Sequence, residues 1–153
     1  MLKKKDLEII KEETERFFEK IRFEVEFEFL PQKEETLSIR IKMEEPQLLI
    51  GKEGRTLLMI QRLLGTILKR KLKGDFFIDL DINNYKTKKI EFLKELAQTT
   101  ADQVALIKEE RSLSPMPAFE RRIIHLELAE RNDVTTESIG REPERRVVVK
   151  PYS

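Results

Sequence analysis

The sequence predicts an α+β protein in two parts, residues 1–83 and 84–153, and three patterns carry that prediction. The stretches "RFEVEFEFL" and "TLSIRIKM" alternate apolar with charged or polar residues, the period of a half-buried strand. Residues near 55–72 and 85–110 repeat apolar side chains at helical spacing instead. Between the alternating and the helical segments, "IGKEG" sets Gly51 and Gly54 around a charged pair, Lys52 and Glu53. Each glycine costs roughly 1 kcal/mol relative to alanine inside a helix, so either the chain turns there or something approaches its backbone.

Taken in order, Leu7, Ile10, Phe17 or Phe18, and Ile21 predict an amphipathic helix over about 5–21. Phe23, Val25, Phe27 and Phe29 then form one face of a strand, with Arg22, Glu24, Glu26 and Glu28 on the other. After a "PQKEE" turn, Leu37, Ile39, Ile41 and Met43 mark a second strand whose Arg40 and Lys42 can face those glutamates across an antiparallel hairpin. Pro46 suits the first position of a short helix, 46–50, ended by Gly51; a longer helix follows from Arg55 to Leu72. "DFFIDLDI" supplies a third strand, and Asn83–Asn84 a natural break. Gly65, inside the long helix, is expected to pack closely against the sheet. The second part opens with a long helix striped by Ile90, Leu93, Ala97, Ala101, Val104 and Ile107. A turn at "SLSPMPAF" leads into a helix over about 117–131, and "VTTESIGREPERRVVVK" reads as two strands around a turn.

Composition removes much chemistry. The chain has no cysteine and one histidine, His125, which excludes disulfides, zinc-finger spacings and Cys–His dyads. No cofactor is implied. Asp79 and Asp81 share a strand face without a motif to make them a metal site, so no enzyme is expected. No apolar run reaches the roughly 20 residues of a membrane span, and the N-terminus lacks a signal-peptide core, so a cytoplasmic location is expected. The net charge is only +1, but it is unevenly placed: residues 1–50 hold 10 Lys/Arg against 13 Asp/Glu, residues 51–74 hold 7 against Glu53 alone. The basic block begins at the glycines.

A Gly-x-x-Gly turn between helices can let a phosphodiester approach the main chain, since no Cβ intervenes. Its N–H groups become donors, the following helix start favours an anion, and Lys52 and Arg55 add full charge. Ile50 and Leu57 are expected to make an apolar floor for unpaired bases. A bare Gly-x-x-Gly most often marks only a tight corner. Here it sits in a helix–strand–strand–helix–turn–helix–strand order, and residues 5–83 resemble a K-homology (KH) domain of type II, α-β-β-α-α-β. That resemblance implies a clamp for about four nucleotides of a single strand at Ile50, Gly51, Lys52, Glu53, Gly54 and Arg55. Glu53 departs mildly from the pattern, because a carboxylate opposes phosphate unless it points away. Arg62 and Lys69 follow Arg55 at seven-residue spacing, which a solvated helix face explains better, since the stripe runs away from the turn.

In "MPAFERRIIHLELAER", Arg121 and His125 stand four apart on one helical face, while Phe119, Ile123 and Leu126 are expected to point into the core. An Arg-x-x-x-His pair alone is an ordinary surface arrangement. Its surroundings resemble the small Arg-x-x-x-His nucleic-acid-binding domain. With "VTTESIGREPERRVVVKP" downstream of a KH-like unit, nearly the whole chain resembles the bacterial Jag family of RNA-binding proteins. The resemblance implies nucleic-acid contacts at Arg121, Arg122 and His125, with Arg141, Arg145 and Arg146 as weaker ones. Family members often carry a further N-terminal domain and linker, which these residues do not include.

The resulting expectation is a non-catalytic protein that binds single-stranded RNA ahead of single-stranded DNA. The resemblance implies a post-transcriptional or RNA-chaperone role tied to cell elongation or division. The rival is an adaptor that pairs with a second KH protein or with membrane-insertion machinery, for which the long helix at 85–110 could serve.

Overall fold

The computed structural model describes residues 1–153 and is mixed α+β throughout. The chain divides into two compact units, Met1–Lys86 and Thr87–Ser153.

In the first unit, helix α1 (Lys4–Lys20) precedes strands β1 (Glu26–Phe29) and β2 (Thr36–Lys42). The short helix α2 (Gln47–Ile50), a single 3-10 turn (Lys52–Gly54), helix α3 (Arg55–Leu72) and strand β3 (Phe77–Ile82) follow. β2 is the central strand, antiparallel to β1 and parallel to β3. The register sets Glu26 opposite Lys42 and Glu28 opposite Arg40, the charge pairing that the two alternating stretches predict. Leu37, Ile39 and Ile41 of β2 and Leu80 and Ile82 of β3 are buried with Ile10 and Phe18 of α1 and Leu57, Leu64 and Leu68 of α3.

β1 starts four residues later than the alternation suggests. Arg22 takes a left-handed conformation (φ 60°) just past α1; its N–H donates to Glu19 O, and that of Phe23 donates to Phe18 O. These two bonds close a Schellman cap, so Phe23 belongs to the helix end and not to the strand. Gly65 corrects a second expectation. A Cβ built on it meets no atom within 4 Å, so it lies against open space and not against the sheet.

The second unit takes up all but the first two residues of α4 (Tyr85–Ile107), followed by β4 (Arg111–Ser112), α5 (Ala118–Leu128), β5 (Val134–Ile139) and β6 (Arg146–Pro151). β6 is central, antiparallel to both neighbours. Leu93, Ala97, Ala101 and Val104 of α4 pack with Ile124 and Leu128 of α5 and Val147 and Val149 of β6. The stripe on α4 therefore runs as its spacing predicts from Leu93 to Val104, while Ile90 is only half-buried and Ile107 is half exposed at the helix end.

The face of α5 is a correction. Phe119 and Leu126 are 65% and 64% exposed, whereas Glu120, Arg121, Ile124 and Leu128 are buried. "RRIIH" offers two adjacent arginines and two adjacent isoleucines, so periodicity alone cannot fix the phase. Ile123 packs half-buried against the core as expected, Ile124 is fully inside it, and the rotation carries Arg121 inward and Arg122 outward.

Candidate nucleic-acid interface

Local chain geometry builds the glycine turn. Gly51 has φ 72° and ψ −178°, a region open essentially to glycine alone, and Gly54 is left-handed at φ 75°, ψ 12°. Close approach adds to the demand: a Cβ on Gly51 would lie 2.1 Å from Thr56 Oγ1, and one on Gly54 would lie 2.8 Å from a carbon of the Tyr85 ring. Within the turn, Gly54 N–H donates to Gly51 O and Arg55 N–H to Lys52 O. Lys52 and Glu53, the first residues of that turn, keep N–H groups that no helix carbonyl accepts. Gly54 caps α3 with no side chain of its own.

Lys52 and Arg55 are both exposed. Lys52 has no ion pair, while Arg55 faces Glu53 at 3.6 Å. Glu53 thus leans onto Arg55 and competes with any phosphate for it. Ile50 is half-buried against the core, but Leu57, expected on the apolar floor, is itself core at 2% exposed. Arg62 is exposed, and Lys69 lies over the Phe77 ring at 4.5 Å. At the edge of β3, Gln61 Oε1 accepts from Leu80 N–H (3.0 Å) and Lys86 Nζ (2.7 Å), and Asp79 pairs with the same ammonium at 2.5 Å. Asp81 Oδ1 accepts from the N–H groups of Ile82 and Lys86. The two aspartates are thereby structural. A recess of about 580 Å³ lies elsewhere in this unit, lined by Phe23, Val25, Met43, Leu48, Lys42 and four glutamates, 24, 26, 44 and 45. Four carboxylates against one ammonium give it the wrong sign for phosphate.

In the second unit Arg121 is buried. Its Nε donates to Met116 O (3.1 Å) and its Nη2 to Glu142 (2.8 Å), which ties the start of α5 to the β5–β6 turn. His125 lies between two hydroxyls of β5, Nδ1 at 2.6 Å from Thr136 Oγ1 and Nε2 at 2.8 Å from Ser138 Oγ. Partial burial, and then the charge of Arg121, hold its pKa below the ordinary value of 6.5. Arg122 and Arg141 are exposed, and their side chains make no hydrogen bond or ion pair. Arg145 donates to Gly140 O, and Arg146 to Ser112 Oγ. Thr136 and Ser138 complete this cluster, and their i, i+2 spacing in "TTES" was the available signal for them. Tyr85, packed at Gly54 from the start of α4, left no such signal.

The Arg-x-x-x-His (R-3-H) domain family matches residues 91–151, a span that contains Arg121, Arg122, His125, Arg141, Arg145 and Arg146. RNA-binding protein KhpB of Lactiplantibacillus plantarum is 42% identical over 102 residues, 67% of this chain and 32% of the relative. KhpB of Clostridium symbiosum is 35% identical over 116 residues, 76% of this chain and 52% of the relative. KhpB of Bacillus subtilis is 36% identical over 116 residues, 74% and 56%. Over two thirds to three quarters of its length the chain is similar to these members of the Jag family.

The chain spans between about a third and just over half the length of these relatives. Its Arg-x-x-x-His domain holds α5 with β5 and β6, and so both members of the pair, while the glycine turn lies outside that match. The pair is not two equivalent surface groups: one member is buried and braced, the other half-open between hydroxyls. No helix is long and apolar enough to cross a membrane.

Proposed function

We propose that this chain is a non-catalytic, cytoplasmic protein of the Jag family that binds single-stranded RNA through two short sites, one on each unit. The glycine turn carries the reading. Two glycines under close approach, unmatched N–H groups on Lys52 and Glu53, and the exposed cations of Lys52 and Arg55 converge at the start of an 18-residue helix. That is the chemistry of a phosphate seat. The order α1-β1-β2-α2-α3-β3 and its mixed sheet support a KH-like domain here, and the relatives' name, RNA-binding protein, supports RNA as the ligand. The second site is taken as Arg122 and His125, with Arg141 on the turn that Arg121 ties to α5 through Glu142, and Arg121 as the brace that positions them. Each site alone would be modest; on one chain, binding at one raises the effective concentration of the strand at the other. The resemblance supports a post-transcriptional or chaperone role in cell elongation or division.

Backbone amide shifts on titration with a ten-nucleotide single strand test this reading. Shifts concentrated at residues 50–55 and 121–125 support it; shifts confined to other surfaces contradict it.

One observation favours a second reading. Met59 and Leu63, four apart on α3, are 61% and 52% exposed, an apolar strip suited to another KH protein. A salt-insensitive complex that releases RNA would support that adaptor role.

A further inference from the structure

We propose that Phe119 is a base-stacking platform, with Arg122 beside it for the phosphate of the same strand. The inference rests on the nucleic-acid reading above and adds to it a residue that the Arg-x-x-x-His pattern does not contain.

A single exposed phenylalanine needs no explanation. Phe119 is not single in kind: Phe119, Arg122 and Leu126, spaced three and four apart, form one stripe along α5, with the ring and the leucine 65% and 64% exposed. No aromatic or cationic group covers the Phe119 ring. Arg122, one turn on, has no carboxylate partner, whereas Arg121 on the buried side is paired with Glu142. The nearest carboxylate along the helix, Glu120, is turned inward to Lys89 at 3.5 Å, Glu127 accepts from Gln98 Nε2 at 3.1 Å, and Glu130 lies past the helix end. His125, three residues from Arg122, flanks the stripe with its ring held by Thr136 and Ser138.

An uncovered ring, an unneutralised guanidinium one turn away and a polar flank match what a nucleotide offers: a flat π-face, a phosphate and hydrogen-bonding edges. A protein partner of ordinary apolar chemistry would leave Arg122 desolvated and unpaired. Every base has a π-face, so the contact would be tolerant of sequence.

The chain contains no tryptophan, so Phe119→Trp introduces a single indole. Titrating that full-length variant with ten-nucleotide oligo(U) and oligo(A) single strands should quench its emission, with affinity equal to or above that of the unsubstituted protein. Phe119→Ala should lose roughly 5- to 100-fold in affinity, as truncation of a stacked aromatic does, with the salt slope unchanged. Arg122→Ala should instead reduce that slope by about 0.7, one phosphate on a single strand. Full affinity in Phe119→Ala with no quenching in Phe119→Trp overturns the stacking role while leaving RNA binding intact. Failure of the unsubstituted protein to bind either oligonucleotide overturns the nucleic-acid reading itself. A change of oligomeric state in Phe119→Ala, with RNA affinity kept, makes the stripe a protein interface and also overturns the proposal.

Discussion

Thr56 occupies the space that a side chain on Gly51 would need: its Oγ1 lies 2.1 Å from the position of a Cβ there. Gly51→Ala therefore has no cheap escape, because the backbone at φ 72°, ψ −178° is itself closed to alanine. The expected loss is about 1–3 kcal/mol from the backbone alone, with the displacement of Thr56 added to it. Urea unfolding of the variant measures this. The midpoint should fall well below that of Lys52→Ala, a surface change expected within about 0.5 kcal/mol of the unsubstituted protein.

Gly65 reverses the sign. It is helical, with open space where its Cβ would be, so Gly65→Ala should stabilise the first unit by up to about 1 kcal/mol. The same unfolding experiment reads it, and a destabilised variant would mean that this position is covered.

Glu53 has a left-handed backbone (φ 55°) and a carboxylate 3.6 Å from Arg55. Glu53→Gln frees that guanidinium and should tighten RNA binding roughly two- to fivefold at low salt, the worth of an exposed pair, with the gain fading as salt rises. Glu53→Gly should do the same and also relieve the backbone, raising the unfolding midpoint where Glu53→Gln does not.

His125 makes stability depend on pH. Its pKa is lowered in the folded chain, by burial first and by Arg121 second, so the unfolded state takes up the proton more readily. Its contribution is fully present above about pH 6.5 and is lost as pH falls through the lowered value. Since the chain has one histidine, denaturation at about pH 7.5 and about pH 5.5 should find it less stable at the lower pH, and His125→Gln should narrow the difference. A phosphate brought close would oppose both causes, so RNA binding should take up a proton in that same window.

Much of the fold was legible because periodicity and turn chemistry agreed. β2 alternates cleanly, and α3 runs from Arg55 to Leu72, the span that the glycines and the apolar spacing predict. Legibility failed where one local feature overrode a pattern. Arg22 in a left-handed cap shortened β1, and the doubled residues in "RRIIH" left the rotation of α5 open. That rotation decides the proposed second site: it buries Arg121, frees Arg122 and exposes Phe119. The hydroxyls that hold His125 arrive from another element, β5, and only tertiary structure brings them within 2.6 and 2.8 Å.

The central claim is that the Gly51–Gly54 turn seats the phosphates of a single strand. The most direct measurement is the affinity of the full chain and of Lys52→Asp for a ten-nucleotide single-stranded RNA and for a duplex of equal length, over a range of salt. Preference for the single strand is expected, since bases must be unstacked to reach such a site, with a shallow log–log salt slope of roughly 2–4. Lys52→Asp beside Glu53 should bind sharply less with an unchanged unfolding midpoint. Equal affinity for duplex and single strand, or full binding by Lys52→Asp, would contradict it.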